Sequence, residues 1–249
     1  MVQIIPVLAL LAAAQVFGSA VTKLADDAQH VLFDPDIESV NDVSTVKDKL
    51  KKAEIIPTVI DEFVPSLLVG VNWPSSKHAE LGNTIKPKKL QDEPTITLTR
   101  PVSETDSCSP IANVTYTVTL TDPDAPSRDD PKWSEMCHWI TTGLAVSHDD
   151  KVEDSCSSSL TPSLAALEDV MPYKPPGPPE KTGEHRYVFI IFAPANGTTD
   201  PIHPREPEDR QHWGYDFDGE SVGVRKWSQE NGLVPVAANF IYSKNKKQS

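Results

Sequence analysis

The chain has 249 residues, with 36 Asp and Glu against 23 Lys and Arg and a formal net charge of −13. That balance disfavours nucleic acid and anionic membrane surfaces as nonspecific partners, because both are held by clustered Lys and Arg. With 38% hydrophobic residues the chain can bury a core, while 23 Pro against 11 Gly exclude collagen and disfavour a helical bundle.

Residues 1–20 contain no Lys, Arg, Asp or Glu, and the apolar run from Ile4 to Phe17 ends in Gly18, Ser19 and Ala20. The run is shorter than the roughly 20 residues a transmembrane helix needs. It reads as a signal peptide, so the expectation is a secreted or secretory-pathway protein with no transmembrane segment in its mature form. Two sequons, at Asn113 and Asn196, suit glycosylation of such a chain. Of three cysteines, Cys108 and Cys156 lie in polar, Ser-rich stretches and are the candidate disulfide; Cys137 adjoins an apolar strand and is expected buried and reduced.

Residues 21–54 form an acidic, partly helical extension. Val43, Val46, Leu50 and Ala53 recur at three- and four-residue spacing, an apolar stripe expected to pack on the main body. Pro57 and Pro65 then interrupt the pattern, and strands follow. Thr95–Thr99 alternates with period two, as does Val114–Thr121. Trp139–Thr141 and Tyr187–Phe192 are further strands; the second is apolar on both faces and therefore central. Glu220–Asn231 reads as a helix closed by Gly232, and Val234–Tyr242 as a last strand. The expected fold is a mainly antiparallel β-sandwich with peripheral helices near both ends, spanning residues 55–243 and followed by a basic tail, 244–249.

Asp122 closes one predicted strand, whereas His138 and His185 precede two others. In antiparallel pairing the end of one strand lies beside the start of the next, so one carboxylate and two imidazoles can meet at one rim. Other chemistries fit less well. The three residues could hold zinc, but the helical His spacing of common zinc hydrolases is absent. No Gly-x-Ser-x-Gly elbow supplies an activated serine. Pro123 and Pro126 interrupt any calcium loop built on Asp122, Asp124 and Asp130. No metal and no other cofactor is expected.

Two blocks decide between these readings. One is Asp122-Pro123-Asp124-Ala125-Pro126-Ser127-Arg128 with His138 downstream; the other is Gly183-Glu184-His185-Arg186-Tyr187 after the proline-rich Pro175–Pro179. Together they resemble the phosphatidylethanolamine-binding protein family, over roughly Ile55 to Tyr242, with a branch similar to the carboxypeptidase Y inhibitor. The resemblance implies a β-sandwich with one small anion pocket. It places Asp122, Pro126, His138, His185 and Tyr187 in that pocket, Gly177 and Pro178 on its rim loop, and Asp124 and Arg186 in structural roles. One bond in the Asp122–Pro126 turn is expected to be cis, a state available mainly before proline. Imidazole N–H groups suit phosphate oxygens, and a carboxylate can orient one of the rings.

The expected partner is a small anionic ligand or a phospholipid headgroup. The family resemblance adds two alternatives. One is an accessory or catalytic role on anhydride or dicarboxylate intermediates beside a biosynthetic enzyme of fungal secondary metabolism; the other is inhibition of a serine carboxypeptidase. Animal members of the family continue into a C-terminal helix over the pocket. This chain ends soon after Tyr242, which implies a more open pocket.

Overall fold

The computed structural model describes residues 43–101, 114–147, 159–163, 167–213 and 223–247. The leader, most of the 21–54 extension, Cys108, Asn113 and Cys156 lie outside them.

Helix α1 (Val43–Lys52) buries Val46 and Leu50, two positions of the apolar stripe, and Ala53 follows them into the core. Three short segments come next: β1 (Leu68–Trp73), β2 (Lys77–His78) and β3 (Asn83–Thr84). Then come β4 (Thr95–Thr99), β5 (Thr115–Asp122), β6 (Met136–Ser147), β7 (Ser159–Ser163) and β8 (Glu168–Met171). The chain closes with β9 (Glu184–Pro194), helix α2 (Gly223–Glu230) and β10 (Leu233–Lys244). Gly232 stops α2 at φ +65°, a left-handed conformation that costs glycine no Cβ clash.

The strands run in the order β2-β1-β4-β7-β6-β5-β9-β10-β3, with β8 beside β6. All pairs are antiparallel except β3 with β10, which is parallel. The expected sandwich is present. One half contains β1 and β4; the other contains β6, β5, β9 and β10.

Strand β9 shows why both of its faces are apolar. Tyr187, Phe189 and Ile191 point into the core shared with β1 and β4. Val188, Ile190 and Phe192 point the other way, against Val46 and Leu50 of α1 and Val224 and Trp227 of α2. The period of two thus feeds two cores from one strand, and the helices cover what would be an exposed apolar sheet face.

Two buried polar groups fix how these layers meet. Asn239 on β10 donates to the carbonyls of Val69 (3.0 Å) and Ala79 (3.3 Å), and its Oδ1 accepts from the N–H of Leu81 (2.9 Å) and Phe240 (2.8 Å). The amide is fully used in joining the two halves. Glu135 is buried at the start of α2, where its Oε2 accepts from the Thr121 hydroxyl at 2.7 Å. A Cβ on Gly223 would fall 2.0 Å from Glu135 Oε1, so a larger residue there requires the buried carboxylate to move.

Asn239→Ala should therefore cost about 2–4 kcal/mol of stability in a denaturant titration, because backbone groups on both halves lose their partner inside the core. Gly223→Ala should cost about 1–3 kcal/mol through overpacking against the Glu135 carboxylate.

Candidate binding site

At one end of the second sheet the final residue of β5 and the first residues of β6 and β9 are neighbours, since Asp122 pairs with Met136 and β5 lies between β6 and β9. Asp122, His138, His185 and Tyr187 accordingly line one cavity of about 220 Å³, together with Pro126, Gly177, Pro178, Trp133, Met136, Lys174 and Gln211.

His138 reaches the cavity through an irregularity. Leu120 pairs with Trp139 but Thr121 pairs with Cys137, leaving His138 as the extra residue of a β-bulge. A bulge re-aims one side chain and changes the facing of those beyond it. Cys137 therefore lies in the core beneath the helices, while Trp139 lies in the core between the sheets. Cys137 is buried and in no disulfide, and burial pushes its thiol up to about 12.

Asp122 is the hub of the site. Its Oδ1 accepts from the Asp124 N–H at 2.8 Å and its Oδ2 meets His185 Nδ1 at 2.9 Å. The Tyr187 phenol lies in the field of this carboxylate. Burial, then the negative charge of Asp122, raise the phenol well above its ordinary value, while the Gly177 backbone works against them. The Tyr187 ring stands between the imidazoles, edge-on to His138 at 5.2 Å and stacked on His185 at 6.3 Å.

The two histidines are not equivalent. His185 Nε2 lies 2.9 Å from Thr182 Oγ1, so both of its ring nitrogens are committed to protein groups. His138 Nδ1 lies 2.7 Å from the Lys174 carbonyl, an acceptor only, so Nδ1 carries the hydrogen. Its Nε2 has no partner among the described residues. Burial lowers the His138 pKa; the Lys174 and Arg210 charges add to this, and the Asp122 charge and the Lys174 carbonyl oppose it. The ring at rest is neutral and offers the cavity a lone pair.

Asp124 and Arg186 lie beneath the cavity. Asp124 Oδ2 accepts from the Arg186 N–H at 2.7 Å and its Nε at 2.9 Å, and Oδ1 accepts from Nη2 at 2.6 Å. Arg186 Nη1 donates to the carbonyls of Ala53 and Glu54, tying α1 to the same point. Burial opposes the guanidinium charge, but the hydrogen bonds and charge of Asp124 outweigh it and hold the Arg186 pKa up. The Ala125–Pro126 peptide in this turn is cis. The sequon residue Asn196 is exposed, with its Oδ1 accepting from the Thr198 N–H at 3.1 Å.

Sequence reasoning missed Trp133, Lys174 and Gln211. Each sits alone in a loop with no periodic or motif signal, and Gln211 comes from a stretch more than twenty residues beyond His185. Among the described residues no group of three or more His, Cys, Asp or Glu has the arrangement to hold a metal ion. No helix among them is long and apolar enough to cross a membrane.

The family model described as phosphatidylethanolamine-binding protein matches residues 75–241, which include every residue of this cavity. The chain belongs to the phosphatidylethanolamine-binding protein family. Among its relatives, the carboxypeptidase Y inhibitor of Saccharomyces cerevisiae is 33% identical over 210 residues, covering 80% of this chain and 94% of that protein. The CEN-like protein 4 of Nicotiana tabacum is 29% identical over 199 residues, 80% of this chain and 93% of that one. The crystal structure of a carboxypeptidase Y inhibitor complexed with its cognate proteinase superposes with a TM-score of 0.70 at 28% identity, covering 84% of this chain and 99% of that one. A phosphatidylethanolamine-binding protein from Plasmodium vivax shares the fold at a TM-score of 0.58 and 20% identity, over 80% and 97% of the two chains.

Removing Asp124 leaves a buried guanidinium without its partner, so Asp124→Ala should lose about 3–5 kcal/mol of stability. His138 makes a second, pH-dependent contribution. Its folded pKa lies below its unfolded value, so the unfolded chain binds more protons and stability rises with pH. The contribution should be complete above about pH 6.5 and should fall as the pH drops below that value. A His138→Gln variant should show a shallower acid limb in the same titration.

Proposed function

We propose that this protein is exported and binds a small anion in the cavity, a phosphate or the phosphate-bearing headgroup of a phospholipid. The observation that carries this reading is the convergence of His138 Nε2, the Asp122–His185 pair, Tyr187 and Lys174 on one small hollow whose other walls are largely apolar. Its volume of about 220 Å³ is below the ~300–1,000 Å³ of sites for drug-sized ligands. A headgroup fits such a space and acyl chains do not.

The carboxylate in the cavity does not forbid an anion. Asp122 is occupied by the Asp124 N–H on one oxygen and by His185 on the other, so both oxygens have protein partners. Lys174 contributes a cation at the wall, and Pro126, Pro175, Pro178 and Pro179 stiffen the rim, which reduces the ordering cost of binding. Because the resting His138 offers a lone pair, a fully ionised anion requires that ring to take up a proton. Binding is thereby coupled to protonation.

Titration with phosphoethanolamine, followed by NMR of the histidines, tests this. The His138 resonances should move, and affinity should rise as the pH is lowered from about 7.5 to about 5.5, the window around the reference imidazole value. His138→Ala should weaken binding by about tenfold to a hundredfold, the loss of one charge-assisted hydrogen bond. Saturating phosphoethanolamine with no histidine response would overturn the proposal.

A second reading rests on the 33% identity to a carboxypeptidase inhibitor and on the fold shared with one bound to its proteinase. Here the partner is a serine carboxypeptidase and the contact is a protein surface. Inhibition of carboxypeptidase Y by the full chain, undiminished by phosphoethanolamine and by His138→Ala, would support it. Absence of inhibition would remove it.

A further inference from the structure

The sequon Asn196-Gly197-Thr198 takes no part in the cavity, and the fold gives it a definite place of its own. It directly follows β9, whose first residues deliver His185 and Tyr187 to the cavity and whose last residues are Ala193 and Pro194. From Tyr187 to Pro194 the strand advances by seven residues, about 24 Å at the rise of an antiparallel strand. The sequon therefore stands at the far end of the sheet from the anion site.

The local backbone holds the asparagine outward. The Gly197 N–H donates to the Pro194 carbonyl at 3.1 Å, closing a four-residue turn with Ala195 and Asn196 at its tip. Gly197 takes φ +66°, a conformation that strains any residue with a Cβ, although nothing lies within 4 Å of where that Cβ would be. Glycine is used here for its backbone and the space above it is open. The Ala195 N–H donates to the Gly232 carbonyl at 2.8 Å, which fixes the turn to the residue before β10.

The side chains of the sequon are held by their oxygens. Asn196 Oδ1 accepts from the Thr198 N–H at 3.1 Å, and Thr198 Oγ1 accepts from the Asp200 N–H at 3.1 Å. Asn196 Nδ2 has no partner among the described residues, and Ala195, Asn196 and Gly197 are all exposed. The amide thus presents to solvent the one atom that N-glycosylation uses.

We propose that Asn196 carries an N-linked oligosaccharide, placed at the end of the molecule remote from the cavity. The inference rests on the export proposed above, since glycosyl transfer to asparagine takes place in the secretory pathway, and it is independent of what the cavity binds. In the transfer, Nδ2 forms a bond to the anomeric carbon of a lipid-pyrophosphate-linked oligosaccharide. The bond from that carbon to the pyrophosphate oxygen breaks, its electron pair leaves with the lipid pyrophosphate, and the amide gives up one proton to base. The threonine two positions on completes the recognition triplet. A folded chain that buried this turn would have no room for the product, whereas here the turn projects and the cavity stays open.

The test is expression of the full chain in a eukaryotic secretory host, with medium and cell lysate compared before and after digestion by a peptide-N-glycosidase. The secreted protein should fall in mass on digestion, and peptide mass spectrometry should find Asn196 converted to Asp, the mark of a released N-glycan. Asn196→Gln and Thr198→Ala should each abolish that glycan, and Asn113→Gln should leave it in place. Secreted protein with Asn196 unmodified overturns the proposal and leaves export standing; chain retained in the cytosol without sugar overturns both. The remote placement is read by titrating inorganic phosphate into the glycosylated and the digested protein. Their dissociation constants should agree within about twofold, as for two sites that do not touch. Phosphate binding by the digested form alone would put the sugar at the cavity and overturn the placement. No binding by either form would remove only the cavity reading, with the glycan still mapped to Asn196.

Discussion

Two carboxylates two residues apart hold the cavity in shape. Asp122 and Asp124 leave the end of β5 and grip consecutive residues of β9, His185 and Arg186. Because successive side chains on a strand point to opposite faces, one grip closes the cavity floor and the other fastens the loop to the α1 side. The proline between the two aspartates fixes a backbone angle, which limits how far either carboxylate can swing. His185 is thus held by Asp122 and Thr182, whereas His138 Nε2 has no partner among the described residues.

That leftover atom sets the character of the site. Had both imidazoles presented N–H groups, the cavity would be a fixed anion receptor at neutral pH. Instead His185 is spent internally, and burial disfavours the charged form of His138. An acidic chain can still present a cation at one opening, as Lys174 does, because net charge sums over the whole molecule, whereas an opening samples a few residues.

Much of the fold was legible because it follows local rules. The alternation in β4 and β5, the doubly apolar β9 and the glycine stop after α2 each reflect a period or a backbone constraint readable within ten residues. β1 was harder to see, since Gly70 breaks its apolar run and its pairing with β4 is more than twenty residues away. The parallel pairing of β3 was illegible altogether: two polar residues, Asn83 and Thr84, carry no strand signal and acquire their conformation from β10. Asn239 likewise looks like an interruption in an apolar strand, and its four hydrogen bonds become visible only when the two halves meet.

The amino-acid sequence by itself determined the family and the strands β4, β5, β6, β9 and β10, and it singled out Asp122, His138, His185 and Tyr187, because the two motif blocks are short and contiguous. Tertiary structure alone decided which imidazole is free. That choice depends on a bulge at His138, a Lys174 carbonyl that accepts from its Nδ1 and a hydroxyl supplied to His185 by Thr182, and none of these can be read from residue types. It also brought the segment after β10 to the cavity rim, where Asn245 Nδ2 donates to the Pro178 carbonyl, since strand direction and sheet order bring together segments more than 60 residues apart. Local chemistry is written along the chain, but the occupancy of a hydrogen-bonding atom is a property of everything packed around it.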